Sequence, residues 1–375
     1  MNIGIVCYPT FGGSGVVATE LGKALAEKGH QIHFITYSMP FRLTEFTENI
    51  FYHEVTVNDY PLFDYPPYEL VLASKLVEVA MYEKLDLLHV HYAIPHASAA
   101  YMAKKILESK GIKIPYITTL HGTDITLVGK DASFEPVISF AINQSDAVTA
   151  VSESLKKDTY ENFSVTNQIQ VIPNFICPDL FIQARKEVGN HKKHYAPFGE
   201  KIIMHISNFR PVKRVEDVIR VFYEVRKQIP CKLMFVGDGP ERSKAEALCR
   251  ELKTCDDVIF LGKIKSTEQA LALADLFILT SETESFGLSA LEAMASSVPV
   301  ISTNTGGLPE VNVHGETGFL SNVGDVADMA KNAIFILSDD KRLEQFKSKA
   351  SLKAEEFSIR NILPLYENLY EKLIG

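Results

Sequence analysis

Short apolar runs alternate with amphipathic helical patterns almost from end to end, and this alternation restricts the fold more than any other feature of the chain. Strands joined through helices run parallel, so the pattern predicts α/β layering rather than hairpins. The first series is "NIGIVCY", "QIHFITY", "LDLLHVH", "IPYITTL", "DAVTAVS" and "IQVIPN". A second series then starts, with "KIIMHISN", "CKLMFVGD", "DVIFLGK", "DLFILTS", "VPVISTN" and "GFLSN". Helical spacing fills the gaps: Val17, Leu21, Ala24 and Leu25 recur every three or four residues, and Gly29 closes that helix. "ELVLASKLVEVAMYEK", "ASAAYMAKKILESKG", "VEDVIRVFYEVRKQ" and "PERSKAEALCRELK" have the same character.

Between the series, "VIPNFICPDLFIQARKEVGNHKKHYAPFGE" loses its periodicity and reads as a linker, with a boundary near Pro173–Leu180. At 375 residues the chain suits two domains. The expected division is 1–175 and 176–358, with 359–375 an amphipathic helix packing back on the N-terminal domain. Two doubly wound, Rossmann-like domains facing a central cleft would turn the carboxyl ends of their strands toward it, where open α/β sheets bind ligands.

The 47 acidic against 38 basic residues give a net charge of −9, which argues against a nucleic-acid binder. "HKKHY", the dense basic cluster, reads as a solvated loop. Five scattered cysteines without a C-x-x-C pair suggest neither a disulfide framework nor zinc, and point to a reducing compartment. The sequence starts on a strand without a charged leader, and no run reaches the roughly 18 apolar residues of a membrane span. A cytoplasmic location and no membrane partner are expected.

The motifs lie just after strands. Gly13, Gly15 and Ala18 fit the G-x-G-x-x-G/A fingerprint of dinucleotide folds. Pro9, Thr10, Phe11 and Gly12 intervene after the strand, however, and "FITYSMP" carries no acid to hold a ribose. A helix N-terminus reached through such a loop still offers N–H groups to an anion or a sugar oxygen. In "NFRPVKR", Arg210 and Lys213 place a guanidinium fork and an ammonium at a strand end, which suits a diphosphate. In "SETESFGLSALEAMA", Glu284 and Glu292 stand seven residues apart, and the amides around Gly287–Ser289 can meet a phosphate. One acid can hold a ribose and the other a hexose. Gly306 and Gly307 form a further turn after a strand. His121 and Asp124 of "LHGTD" and His89, His91 and Tyr92 of "LLHVHYAIPHA" close the set. H-x-H without a placed third ligand is a weak zinc signal, and no Asp-x-Asp is present, so no metal is expected.

These motifs, "GGSG", "LHGTD", "RPVK", "VGDGPER" and the E-x7-E of "ESFGLSALE", resemble in kind and order those of the retaining GT-B glycosyltransferases of family 4. "ITYSMPFRL", "HVHYAIPHA" and "HISNFRPVKRVEDV" are similar to the members that transfer N-acetylglucosamine to malate at the start of bacillithiol synthesis. Ser289 and Ser285 stand where many relatives have proline and glycine, and both suit the malate-using members. The resemblance implies retaining transfer from UDP-GlcNAc to the L-malate hydroxyl, without a metal or other cofactor. It implies an acceptor-binding N-terminal domain, a UDP-sugar-binding C-terminal domain and a homo-oligomer. Carried onto this chain, Arg210 and Lys213 hold the diphosphate, Glu292 the ribose, Glu284 the donor sugar, and His121 contacts the sugar. Backbone at Leu261 and Gly262 reads the uracil. Gly15, Ser285, Phe286, Gly287 and Leu288 complete the donor site, and Gly13, Ser14, Tyr92 and Thr119 the acceptor site. A different acceptor, or UDP-GlcNAc 2-epimerase chemistry, is the alternative.

Overall fold

The computed structural model describes residues 1–10, 12–43, 47–57, 64–127, 131–189 and 191–375. Phe11, in the loop ahead of the glycine fingerprint, and Asn190, in the segment between the two strand series, lie outside them. The chain forms two compact units: Met1–Asn174 with Ile359–Gly375, and Phe175–Ser358.

The first unit holds seven parallel strands: β1 (Asn2–Val6), β2 (Gln31–Thr36), β3 (Ile50–Glu54), β4 (Leu87–His91), β5 (Tyr116–Leu120), β6 (Ala147–Ala150) and β7 (Ile169–Val171). Their order is β3-β2-β1-β4-β5-β6-β7, so the switch point lies between β1 and β4. β3, from "IFYHE", is absent from the pattern read above. It is an edge strand with no residue fully buried, so it lacks the apolar run that marks its neighbours. β1, β4 and β5 are interior strands, and residues such as Ile3, Ile5, Leu87, Leu88 and Ile117 are completely buried. Each such side chain contributes roughly 1.5–3 kcal/mol of hydrophobic stabilisation.

The chain's last helix, Ile359–Ile374, belongs to this unit and buries Ile362, Leu363, Tyr366, Leu369 and Tyr370. The Tyr370 hydroxyl lies 2.7 Å from His89 Nδ1. A residue near the C-terminus is thereby bonded to a strand in the middle of the first sheet.

The second unit holds β8 (Lys201–Ile206), β9 (Cys231–Val236), β10 (Val258–Phe260), β11 (Leu276–Leu279), β12 (Val300–Thr303) and β13 (Gly318–Ser321). Their order is β10-β9-β8-β11-β12-β13, all parallel, with the switch point between β8 and β11. The helix Val215–Arg226 shows why the pattern is legible: Val215, Val218, Ile219, Phe222 and Val225 form one buried stripe.

The inter-series segment is more ordered than a linker. Pro178–Glu187 is a helix that buries Phe181 and Ala184, with Pro178 at its start and Arg185 and Lys186 in its last turn. "HKKHY" is a short helix rather than a solvated loop. Lys192 Nζ donates to buried Asp275 at 2.6 Å, and the same carboxylate accepts from the Ile202 N–H at 2.9 Å. A buried carboxylate needs such a cation, and the pairing spans 83 residues, beyond the reach of local pattern. Among the described residues no helix is long and apolar enough to cross a membrane.

Replacing Tyr370 by Phe would leave the inward nitrogen of His89 unpaired at a completely buried position. The expected loss is about 1–3 kcal/mol, read as a lower urea midpoint for the first unit with its folded-state circular dichroism unchanged. An unshifted midpoint would show that the contact carries no stability.

Candidate functional site

In the second unit, three strand ends meet through backbone and side-chain bonds. Arg210 is exposed and caps the short helix Pro211–Lys213, so its guanidinium lies open to solvent. Lys213 turns back toward the sheet, and its Nζ lies 2.5 Å from Glu284 Oε1. That same oxygen accepts from the Ser281 hydroxyl at 2.7 Å. Thr280 Oγ1 donates to the Lys213 and Arg214 carbonyls, and the Glu282 N–H to the Val212 carbonyl. The loop after β8 is thus fastened to the loop after β11.

Gly306 explains the turn after β12. Its φ is +56°, and a Cβ there would sit 1.9 Å from the Glu284 carbonyl oxygen. Only a glycine lets that loop lie on Glu284, where the Gly307 N–H donates to the same carbonyl at 2.8 Å. Ser285 is half-buried, while Phe286 is buried with its ring 5.7 Å from that of Phe357. Phe286 can therefore meet a ligand only through its backbone. Gly287, at φ +94°, caps the helix Leu288–Ala295, which carries half-buried Glu292 one turn in. Leu288 and Ser289 thus sit at the positive end of that helix dipole. Beside β9, the Leu261 N–H and Gly262 carbonyl are already bonded to Phe235 and Gly237. The Leu261 carbonyl and the Gly262 N–H are the groups at that position that a base could use.

In the first unit, Gly13 opens the helix Gly13–Glu27, so "GSG" is its first turn rather than a free loop. Gly15 is required there, because a Cβ would approach the Tyr8 and Thr10 carbonyl oxygens to 2.5 and 2.7 Å. Gly12, considered for close packing, meets only the Thr10 hydroxyl, at 3.3 Å. Tyr92 donates from its hydroxyl to Ser14 Oγ at 2.6 Å, which brings two of the acceptor candidates together.

Thr119, the third side-chain candidate for the acceptor, is misplaced for that role. It is fully buried, and its hydroxyl lies 2.7 Å from both His89 Nε2 and Thr149 Oγ1. The face of β5 that it occupies is covered by the final helix, which no local pattern around Thr119 could reveal. His121 remains half-buried at the end of β5, with Nε2 2.8 Å from His91 Nδ1.

His89, His91 and His121 form a stacked series, with ring centroids 4.5 and 5.1 Å apart. Burial and neighbouring imidazoles hold them neutral: His89 and His121 are pushed down to about 3, and His91 falls well below its ordinary value. Burial lowers His96 to about 4. Both nitrogens of His89 are bonded, to Tyr370 and Thr119, which leaves none for the zinc that H-x-H could suggest. Asp124 is a residue whose weight the motif understated. Burial raises its carboxyl to about 6, although the Ala93 and Gly122 N–H groups donate to it at 2.8 and 3.2 Å. It ties the loop after β5 to the loop after β4.

Two family models match the chain. "Glycosyltransferase Family 4" matches residues 11–180 and "Glycosyl transferases group 1" residues 189–353. The N-acetyl-alpha-D-glucosaminyl L-malate synthase of Bacillus anthracis is 50% identical over 99% of this chain and 96% of its own. The chain belongs to glycosyltransferase family 4. It is a glycosyltransferase, and its two parallel-sheet units are those of the GT-B fold. Solved structures share that fold at low identity. The sucrose-phosphate synthase of Thermosynechococcus elongatus superposes with a TM-score of 0.80 at 21% identity, covering 100% of this chain and 99% of its own. Anabaena HepE, solved with UDP-glucose, gives 0.82 at 20% identity, covering 99% and 100%.

The neutral histidines set a pH dependence. Below the ordinary histidine range near 6.5, the unfolded chain takes up protons that the folded unit refuses, so stability falls as pH falls toward 4. Each of His89, His91, His96 and His121 contributes up to about 1.4 kcal/mol per pH unit in that window. Asp124 acts oppositely, because its raised pKa favours folding as pH drops from about 6 toward 4. One group offsets only part of four. Thermal unfolding of the first unit should shift to markedly lower temperature between pH 7.5 and 5, and an unchanged midpoint would contradict the neutral cluster.

Proposed function

We propose that this glycosyltransferase moves N-acetylglucosamine from UDP-GlcNAc to the hydroxyl of L-malate, releasing UDP and opening bacillithiol biosynthesis. The observation that carries the reading is the 50% identity, over nearly the full length of both chains, to the Bacillus anthracis malate synthase. In this reading the second unit binds the donor and the first the acceptor.

Chemistry at the second unit's strand ends supports the donor assignments. An ammonium has three N–H donors. Lys213 gives one to Glu284, which leaves two for diphosphate oxygens. Arg210 adds a fork, and the N-terminus of the helix Leu288–Ala295 adds a positive dipole end. Glu284 Oε1 is occupied by Lys213 and Ser281, so Oε2 is the oxygen that accepts from a donor-sugar hydroxyl. Glu292 takes the ribose. In the first unit the linked Ser14 and Tyr92 hydroxyls and the first-turn amides at Gly13 receive malate, and His121 meets the sugar.

The reaction is front-face substitution with retention. The bond between the anomeric carbon and the β-phosphate oxygen breaks, and the malate oxygen bonds to the same face. The malate proton passes to the departing phosphate oxygen. Lys213 and Arg210 stabilise the charge that develops there, so neither a protein base nor a metal is needed. Neither glutamate is assigned to the anomeric carbon as a nucleophile.

UDP release should require both UDP-GlcNAc and L-malate and persist in EDTA. Activity that vanishes with EDTA and returns with a divalent ion would overturn metal independence. UDP-ManNAc formed without malate would favour epimerase chemistry instead. Lys213→Ala should lower kcat by about 100-fold or more, roughly 2.7 kcal/mol of barrier. Near-normal turnover would remove Lys213 from the mechanism.

A further inference from the structure

His33, His53 and Glu83 have no part in the reaction proposed above, yet the fold gathers them at the edge of the first sheet. β2 and β3 pair in parallel, with His33 opposite Phe51 and Ile35 opposite His53. Partners in register share a face, as do alternate residues of a strand, so both imidazoles and Ile35 lie on one side. Ile35 packs with Leu72, Leu76 and Val79, so this side is the one covered by the helix Tyr68–Tyr82. Glu83 caps the C-terminal end of that helix. His33 Nδ1 and His53 Nε2 face each other at 3.0 Å, and donor atoms of all three residues lie within 4.8 Å of one another.

We propose that His33, His53 and Glu83 bind one zinc ion, which staples edge strand β3 to β2 and to the helix before β4. Two imidazoles and a carboxylate, with a fourth position open to water, are a recognised zinc donor set. Tetrahedral zinc with Zn–N bonds of about 2.0–2.1 Å separates two ligand nitrogens by roughly 3.3 Å. The facing nitrogens need to part by only a few tenths of an ångström, the two rings, now 25° from parallel, to turn so that both lone pairs converge on the ion, and the half-buried Glu83 side chain to swing inward by about an ångström or more.

The protonation states suit a metal. Burial lowers His33 to about 4 and also lowers His53, so both imidazoles are neutral at pH 7. Of the charges that face His53, Glu83 and Glu78 raise it and Lys75, paired with Glu78 at 3.0 Å, lowers it, with burial the larger effect. One feature limits affinity. His33 Nε2 is buried without a hydrogen-bond partner, whereas a ligating histidine ordinarily donates through its second nitrogen. Micromolar rather than tighter binding is therefore expected. The site departs from the expectation of a metal-free chain, although it contributes nothing to the transfer chemistry.

The test uses the full chain stripped with EDTA and titrated with zinc by calorimetry, a readout independent of any transferase activity. One equivalent should bind and raise the midpoint of thermal unfolding by about 5 °C at a hundredfold excess over Kd. His53→Gln and Glu83→Gln replace half-buried side chains, so both should fold with unchanged circular dichroism. Each should weaken binding at least tenfold. Cobalt(II) in place of zinc should give tetrahedral ligand-field bands without thiolate charge transfer. The proposal fails if no equivalent binds, if both variants bind like the parent chain, or if a thiolate band assigns the ion to a cysteine.

Discussion

The ion pair between Lys213 and Glu284 is the interaction on which the second unit's strand ends depend. It joins residues 71 positions apart, at the ends of β8 and β11, across the switch point of the sheet. Its surroundings make it more than a surface pair. Thr280 bonds the backbone at Lys213, Ser281 bonds Glu284, and Thr303 Oγ1 donates to the Ser281 carbonyl. Exposed pairs are usually worth little. Here both partners are largely covered, and the carboxylate shares its oxygen with a hydroxyl. The pair fixes the Lys213 ammonium between the loop after β8 and the loop after β11.

The first unit solves a different problem. The ends of β4 and β5 carry imidazoles, and burial keeps them neutral. A neutral imidazole both donates and accepts, so His89 can bridge Tyr370 on one side and Thr119 on the other. The final helix completes this arrangement, since Tyr366 also bonds Thr119 and Thr149. Without that helix the hydroxyls and imidazoles of β4, β5 and β6 would face water, and the sheet would lose its cover. Asp124 adds a buried carboxyl, to which the Ala93 and Gly122 N–H groups donate at the junction of two loops.

The architecture was legible because buried parallel strands are continuous apolar runs and the helices between them repeat at 3.6 residues. β3 was not, because an edge strand facing solvent has no such run; "IFYHE" mixes rings and charge. The positions of Arg210, Lys213, Glu284 and Glu292 after strands were visible, but the bond between Lys213 and Glu284 was not. Nor was the loss of Thr119 to a buried network, or the anchoring of Lys192 on Asp275. All three involve partners 30 or more residues distant, and residue types alone do not say which partner a side chain will find. Periodicity reports which face is covered; it is silent about what covers it.

The glycine fingerprint shows how one local requirement serves different chemistry. A dinucleotide fold uses its second glycine to bring backbone close to a pyrophosphate and an acid after β2 to hold the ribose. Here Gly15 is needed because the helix's first turn lies against the Tyr8 and Thr10 carbonyls, a purely internal contact. After β2, Thr36 spends its hydroxyl on the Ser38 carbonyl, and no acid stands at Tyr37 or Ser38. What the first turn presents instead is Ser14, already linked to Tyr92. A hydroxyl pair beside first-turn amides is suited to a small anionic hydroxy acid. It lacks the carboxylate that a nucleotide ribose demands, so glycines that admit a cofactor in one fold here serve the packing of a helix's first turn.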